Sequence, residues 1–387
     1  MTGPNPVRLS KHMKLVVVGG HLSPALAIIE ALPKDIRVLF IGRRFSFEGD
    51  KALSLEYKTI SSQKIPFASI SAGRLQRKFT KYTIFSLLKI PYGIVQSFSI
   101  LRVFKPDVVL GFGGFLSLPV IFSAYILRIP IVVHEQTFEA GLANRIASFF
   151  AKKICISWES SREFFPKNKT VLTGNPLRKF EIRSASWRTK FEIINKNQNL
   201  PVIYITGGSS GSHFINTLVE GCIEELLKQF ILIHQTGDAQ EYHDFDRLNN
   251  IRESLPSMLK TRYMLTKFIN PQDIGSVLQK AKLVVGRAGI NTITELIYFN
   301  KPATLIPISF GQNNEQLKNA LFFKGLGLGE AKDQNSLDST KFLQKVKEMY
   351  NNINKYKINK EKFSISNTNA AQKIIETLEY VTKSEKD

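Results

Sequence analysis

Four times along this chain an apolar run of strand length ends in glycine and hands over to a helical pattern. The stretches are KLVVVGGHLSP (14–24), VVLGFGGFLSLP (108–119), VIYITGGSSGS (202–212) and LVVGRAGINTITE (283–295). A run that is apolar on both faces belongs in the middle of a parallel sheet, covered by helices on each side. A glycine turn feeding a helix leaves backbone N–H groups and the positive helix end aimed at open space, which favours a phosphate. Strand and helix patterns alternate throughout, so the sequence predicts an α/β class. The turns also pair off: GGHLSP answers GGSSGS, and GFGG answers GRAG. The chain therefore reads as two similar halves, facing each other and bracketing a cleft where ligands commonly bind.

Length agrees, since 387 residues suit two ordinary domains. We place a disordered lead-in at residues 1–12, an N-terminal domain at 13–178 and a C-terminal domain at 179–365. A closing helix near 366–384 is assigned back to the first domain. Residues 179–200 read as a linker and an opening helix. Cys155 and Cys222 lie in separate apolar runs, so buried thiols are expected, with no disulfide framework or zinc site. The N-terminus lacks the apolar segment of a signal peptide. No run reaches the ~18–20 apolar residues of a membrane-spanning helix.

The net charge of +21 asks for an anionic partner: nucleic acid, a membrane face or a phosphorylated substrate. From Lys58 to Pro106 there is no acidic residue at all. Arg77, Lys78 and Lys81 interleave there with Phe79, Tyr82 and Phe85. That mixture reads as a surface helix or loop on anionic headgroups, or as a solvated basic face over core aromatics. No nucleic-acid-binding motif is present, and no nucleic-acid partner is expected.

Candidate chemistry sits in the loops. Ser209 could hold a phosphate at a helix N-terminus. Thr292 and Thr294 offer hydroxyl donors, and Glu295, one turn into its helix, suits sugar hydroxyls. Neither GGSSGS nor GRAG is a Walker loop, and GGHLSP lacks the full dinucleotide fingerprint. His21, at the tip of a strand-to-helix turn, suits a general base, histidine being the side chain best fitted to proton transfer near neutral pH, or else a cap. A strand ending at Val133 would present His134, Glu135 and Gln136 at its carboxyl end, with His134 either catalytic or buried and hydrogen-bonded. His213 and His234 read as structural. No spacing suggests a metal site.

The order and content of GGHLSPALAI, LGFGGFLSLP, HEQTFEAGLANR, TGNPLR, ITGGSSGS, HQTG, RAGINTITE and NNEQLKNA resemble the MurG family of inverting glycosyltransferases. The resemblance runs from residue 19 to about 320. It implies a GT-B fold of two Rossmann-like domains facing across a cleft. The implied reaction, a step of peptidoglycan synthesis, moves N-acetylglucosamine (GlcNAc) from UDP-GlcNAc to undecaprenyl-diphospho-muramoyl-pentapeptide. It implies no cofactor and no metal, and a peripheral position on the cytoplasmic face of the cell membrane, against its anionic inner leaflet.

Carried over by motif, Phe268 and Ile269 flank uracil and Glu295 holds the ribose. Ser209 and the backbone of Ile290, Asn291 and Thr292 contact the diphosphate, and Gln316 bonds the GlcNAc ring. Gly20, Thr137 and Arg178 join the donor site, with Arg178 near the nucleotide across the cleft. Gly19, His134 and Glu135 fall on the acceptor side, and His21 becomes the base for the acceptor's C4 hydroxyl. Residues 74–89 coincide with the family's membrane-facing surface.

Three departures stand out. The first glycine loop is shortened to VVVGGH, Thr137 replaces the asparagine usual after HEQ, and Glu315 replaces a second glutamine. A transferase with another lipid acceptor, a sugar-nucleotide epimerase and a non-catalytic membrane- or RNA-associated nucleotide-binding module are the competing readings.

Overall fold

In the computed structural model the described residues are 13–45, 53–71, 81–178, 180, 187, 190–192, 200–208, 210–239, 241–309, 314–358 and 369–384. The lead-in 1–12, Arg77, Lys78, Phe79 and Ser209 lie outside them. The chain divides into two compact units, 1–178 with 366–387, and 179–365.

The first unit is built on seven strands: β1 (Lys14–Val18), β2 (Arg37–Gly42), β3 (Phe67–Ser69), β4 (Val108–Gly111), β5 (Ile131–Glu135), β6 (Lys153–Ile156) and β7 (Thr170–Leu172). They lie in the order β3-β2-β1-β4-β5-β6-β7, and neighbours run parallel. The second unit repeats the plan with β8 (Val202–Thr206), β9 (Ile231–Gln235), β10 (Tyr263–Thr266), β11 (Leu283–Gly286), β12 (Ala303–Leu305) and β13 (Gly329–Ala331). Their order is β10-β9-β8-β11-β12-β13, again parallel. Each sheet is doubly wound and Rossmann-like, so the expected α/β class holds.

In such sheets the chain reverses its direction of growth between two central strands, and ligands bind beyond the carboxyl ends there. The reversal falls between β1 and β4 in one unit and between β8 and β11 in the other. The four glycine loops follow those four strands. Close approach explains two of the glycines. A Cβ on Gly20 would stand 2.7 Å from the Gly113 carbonyl oxygen, so the β1 and β4 loops touch only because both are bare. Gly211 has φ +78°, and a Cβ there would meet the Thr236 carbonyl at 2.0 Å.

In the first unit the helices α1 (Leu22–Ala31), α2 (Leu55–Ser62), α3 (Lys81–Phe104), α4 (Ser117–Ile126) and α5 (Leu142–Ala147) flank the sheet. Lys81, Tyr82 and Phe85 fall in the first turns of α3. The helix Ala370–Lys383 belongs to this unit too: Ile374, Ile375, Leu378 and Val381 join Leu15, Val17, Ile28 and Leu110 in one core cluster. Fully burying each such side chain contributes about 1.5–3 kcal/mol. Both cysteines are free and buried, and burial pushes each thiol up to about 12. No helix among the described residues is long and apolar enough to cross a membrane.

Candidate functional site

In the first unit His21 stands at the N-cap of α1 but does not cap it. Its Nδ1 lies 2.8 Å from the Phe112 carbonyl oxygen in the β4 loop. A carbonyl only accepts, so Nδ1 carries the proton, and in the neutral ring the lone pair is on Nε2. Half-buried and tied to the neighbouring loop, the imidazole is held in one orientation.

His134 takes the buried, hydrogen-bonded alternative, and Glu135 is buried beside it. Strand β5 runs two residues past Val133, so both side chains are buried, 1% and 2% exposed. His134 Nε2 lies 3.3 Å from the Gly174 carbonyl and 3.2 Å from Ser157 Oγ, and burial pulls its pKa down to about 4. Glu135 is the clamp of the following loop. It accepts from the Thr137 amide (2.9 Å), the Gly141 amide (3.0 Å) and Asn144 Nδ2 (3.0 Å). The two side chains do not bond each other, and His134 Nδ1 is buried with no partner among the described residues. The Thr137 hydroxyl is engaged inside the same loop, 2.6 Å from Glu135 Oε1 and 2.5 Å from the Glu139 carbonyl. Arg178, the last residue of the first unit, is tied to its own domain. Its guanidinium bonds Glu30 of α1, with Nε at 2.8 Å, and the pair lies within the first unit. Gly19 is buried against Phe40, while Gly20 is exposed.

In the second unit β11 passes through Gly286–Gly289 into the helix Ile290–Tyr298. Gly289 supplies no capping side chain. The first intrahelical bond in this turn is from the Ile293 amide, which leaves the amides of Ile290, Asn291 and Thr292 without an acceptor among the described residues. Thr292 is half-buried, whereas Thr294 is buried with its hydroxyl turned back onto the Ile290 carbonyl at 2.8 Å, so it is no donor. Glu295 is half-buried and its carboxylate makes no hydrogen bond among the described residues. Burial raises its pKa to about 7.

Gln316 lies in the first turn of the helix Glu315–Gly325. Its Oε1 accepts from the Ile308 amide at 3.2 Å, which fixes the amide flip and leaves the side-chain NH2 to donate. Asn319, one turn on, bonds the Ala288 carbonyl and so ties this helix to the β11 loop. Phe268 is exposed, with its carbonyl held by Thr266 Oγ1, and Ile269 is buried. The Ile269 peptide makes no hydrogen bond among the described residues.

Behind the Gly207–Ser212 loop lies a polar chain. His234 Nε2 meets Asn216 Oδ1 at 3.1 Å, and its Nδ1 meets the Tyr263 hydroxyl at 2.9 Å. Asn216 bonds Asp244, which also holds His213 at 2.8 Å. Burial lowers the His234 pKa to about 3, so this histidine is structural and neutral.

Sequence reasoning passed over Arg287. It sits between the glycines of the β11 loop, and its Nε donates to Ser212 Oγ at 3.1 Å. A lone cation between two glycines was the available signal. Among the described residues no group of three histidine, cysteine or carboxylate side chains could hold a metal ion.

The family models that match describe the glycosyltransferase family 28 N-terminal domain over residues 18–156 and the C-terminal domain over 202–378. Among curated proteins, the UDP-N-acetylglucosamine–N-acetylmuramyl-(pentapeptide) pyrophosphoryl-undecaprenol N-acetylglucosamine transferase of Treponema denticola is 35% identical, covering 82% of this chain and 83% of its own. A protein of the same description from Clostridium botulinum is 33% identical over 97% of this chain and 99% of its own. Among solved structures, Acinetobacter baumannii MurG superposes with a TM-score of 0.66 at 22% identity, covering 96% of this chain and all of that one. The UDP-GlcNAc 2-epimerase of Neisseria meningitidis, bound to UDP-GlcNAc, shares the fold with a TM-score of 0.63 at 15% identity, covering 95% of this chain and 99% of that one. Two doubly wound sheets with glycine loops at their reversal points, matched by both family 28 domains and by these relatives, make this chain a member of glycosyltransferase family 28, in its MurG branch.

Proposed function

We propose that the chain transfers GlcNAc from UDP-GlcNAc to the C4 hydroxyl of MurNAc-pentapeptide on undecaprenyl diphosphate, with inversion and without a metal. The observation that carries the donor half is the helix Ile290–Tyr298: among the described residues, three amides at its start and a carboxylate one turn on have no partner. Open amides at a helix N-terminus stabilise a departing diphosphate electrostatically, which removes the need for a cation. A carboxylate one turn away accepts from a vicinal diol, as ribose presents. Phe268 offers an exposed ring for uracil, the Ile269 peptide its edge, and Gln316 an NH2 for the sugar.

On the acceptor side, Nε2 of His21 takes the proton of the attacking hydroxyl while the Phe112 carbonyl holds the other ring nitrogen. Ser209 joins the diphosphate site by its place in the loop. His134, Glu135 and Thr137 act by shaping the acceptor-side loop. Arg178 braces α1.

The acceptor's lipid accounts for an apolar surface on the first unit. Helices α3, α4 and α5 pack side by side; Tyr92, Val95, Tyr125 and Ile126 are exposed along α3 and α4, and Phe149 is exposed just past the end of α5. With the basic composition of residues 58–106, this face suits peripheral attachment to anionic headgroups on the cytoplasmic side.

The test is an assay of the purified chain with UDP-GlcNAc and a lipid-linked MurNAc-pentapeptide analogue. Release of UDP with formation of the β-1,4 disaccharide is expected. Turnover with only a different lipid, or epimerisation of UDP-GlcNAc without acceptor, would overturn the reading.

A further inference from the structure

Among the described residues, Arg287 is a cation held in place without a counter-charge. It is half-buried, and no carboxylate among the described residues lies within ion-pair distance of it. Its Nε donates to Ser212 Oγ at 3.1 Å, and its Nη1 to the carbonyls of Ile306 (2.9 Å) and Pro307 (3.3 Å). The Phe214 ring lies 5.9 Å from the guanidinium carbon. These contacts account for three of the five N–H groups of a guanidinium. Neither N–H of Nη2 is spent on a described residue.

Neutral acceptors alone leave a desolvated charge expensive to keep. Burial lowers the pKa only to about 10, so the side chain remains charged at neutral pH and does not escape the cost by losing its proton. The position of the charge is equally specific. Arg287 follows β11 directly and precedes the open amides of Ile290–Thr292 by three residues, and through Ser212 it grips the end of the β8 loop. Ser212 Oγ accepts from both Arg287 and the Ile215 amide, so its own proton is left to donate.

We propose that Arg287 is a binding residue for the diphosphate of the nucleotide donor, its free Nη2 edge supplying the counter-charge while the other N–H groups hold the β8, β11 and β12 loops in register. The proposal rests on the UDP-sugar reading above and adds a residue to it. A planar fork fixed on one side and open on the other matches a phosphate oxygen pair, which a lysine would meet only as a point charge.

The experiment measures dissociation constants for UDP and for uridine, on the wild-type chain and on Arg287→Met, Arg287→Gln and Arg287→Lys. If Arg287 meets the diphosphate, Arg287→Met weakens UDP about 10–100-fold and leaves uridine unchanged, so the preference for UDP over uridine collapses. Arg287→Lys should recover part of that preference and Arg287→Gln none. Inorganic pyrophosphate should protect the wild type against thermal unfolding, and Arg287→Met should lose that protection. A folded Arg287→Met that keeps the wild-type preference overturns the proposal. So does a parallel loss of both ligands, which would make Arg287 a latch between loops and nothing more. Should Arg287→Met not fold, Arg287→Gln, which keeps donors toward Ser212 and Ile306, decides in its place. Failure of the wild type to bind UDP at all would instead sink the UDP-sugar reading.

Discussion

His21 and Glu295 illustrate how one contact, or the lack of one, sets a side chain's chemistry. For His21 the Phe112 carbonyl fixes the tautomer. Replacing His21 by Ala should lower kcat by about 10²–10⁴-fold, the usual worth of a general base, while calorimetry finds UDP-GlcNAc affinity unchanged. Loss of donor affinity in step with kcat would exclude the base role. For Glu295 the pH dependence follows from its raised pKa of about 7. With the proposed ribose contact, sugar hydroxyls would bond the ionised carboxylate, so donor affinity should be full above pH 7 and weaken as pH falls below it, by up to about tenfold per unit. Glu295→Gln should bind more weakly and lose that slope. The linked stability runs the other way. The fold favours the protonated form, so the contribution is fully present below the ordinary carboxylate pKa and is lost as pH rises through 7. Thermal melts of the ligand-free protein at pH 5 and pH 8 would read it. At this scale Glu295 was legible because a helix position one turn past a glycine loop has a definite direction. Arg287 was not, because the sequence does not say which carbonyls will hold a guanidinium or which carboxylates will be absent.

The glycine loops were legible as elements because strand, turn and helix are adjacent in sequence. Register was harder. Strand β5 keeps its ladder through His134 and Glu135 even though the apolar run stops at Val133. Backbone pairing with β6 and four donors closing on the Glu135 carboxylate outweigh the cost of burying it. The short strands β3, β7 and β13, three residues each, carry too little periodicity to be read. The helix that leaves the GGSSGS loop, His213–Glu220, stops at Gly221, where a Cβ would stand 2.3 Å from Ser339 Oγ of a neighbouring helix, and a second helix, Ile223–Leu227, follows. The closing helix Ala370–Lys383 announced itself by its apolar spacing. Leu378 is fully buried in the first unit's core, so Leu378→Ala should cost about 2–5 kcal/mol. Chemical denaturation followed by the first unit's tryptophan, Trp158, would check it; an unchanged midpoint would show that the helix is not part of that core.

For the molecule as a whole, the net charge of +21 and the apolar face of α3–α5 bear on the same question. Sedimentation with vesicles should show binding that rises with anionic lipid and falls with salt. Phe149→Asp together with Tyr125→Asp should reduce partitioning at least about tenfold, from the apolar area withdrawn, with donor binding intact. Equal partitioning of the double variant would assign attachment elsewhere.

The division into units has a consequence for biosynthesis. The first unit is completed by residues 366–387, so 187 residues of the second unit are translated between its body and its last helix. At about 5–20 residues per second the ribosome needs on the order of 10–40 s to cross that stretch. Throughout that interval the apolar surface that Ile374, Leu378 and Val381 will cover stands open on the nascent chain. The second unit is contiguous and can fold as it emerges. The first must wait, and it is the half on which a chaperone, or a premature stop, would have its effect.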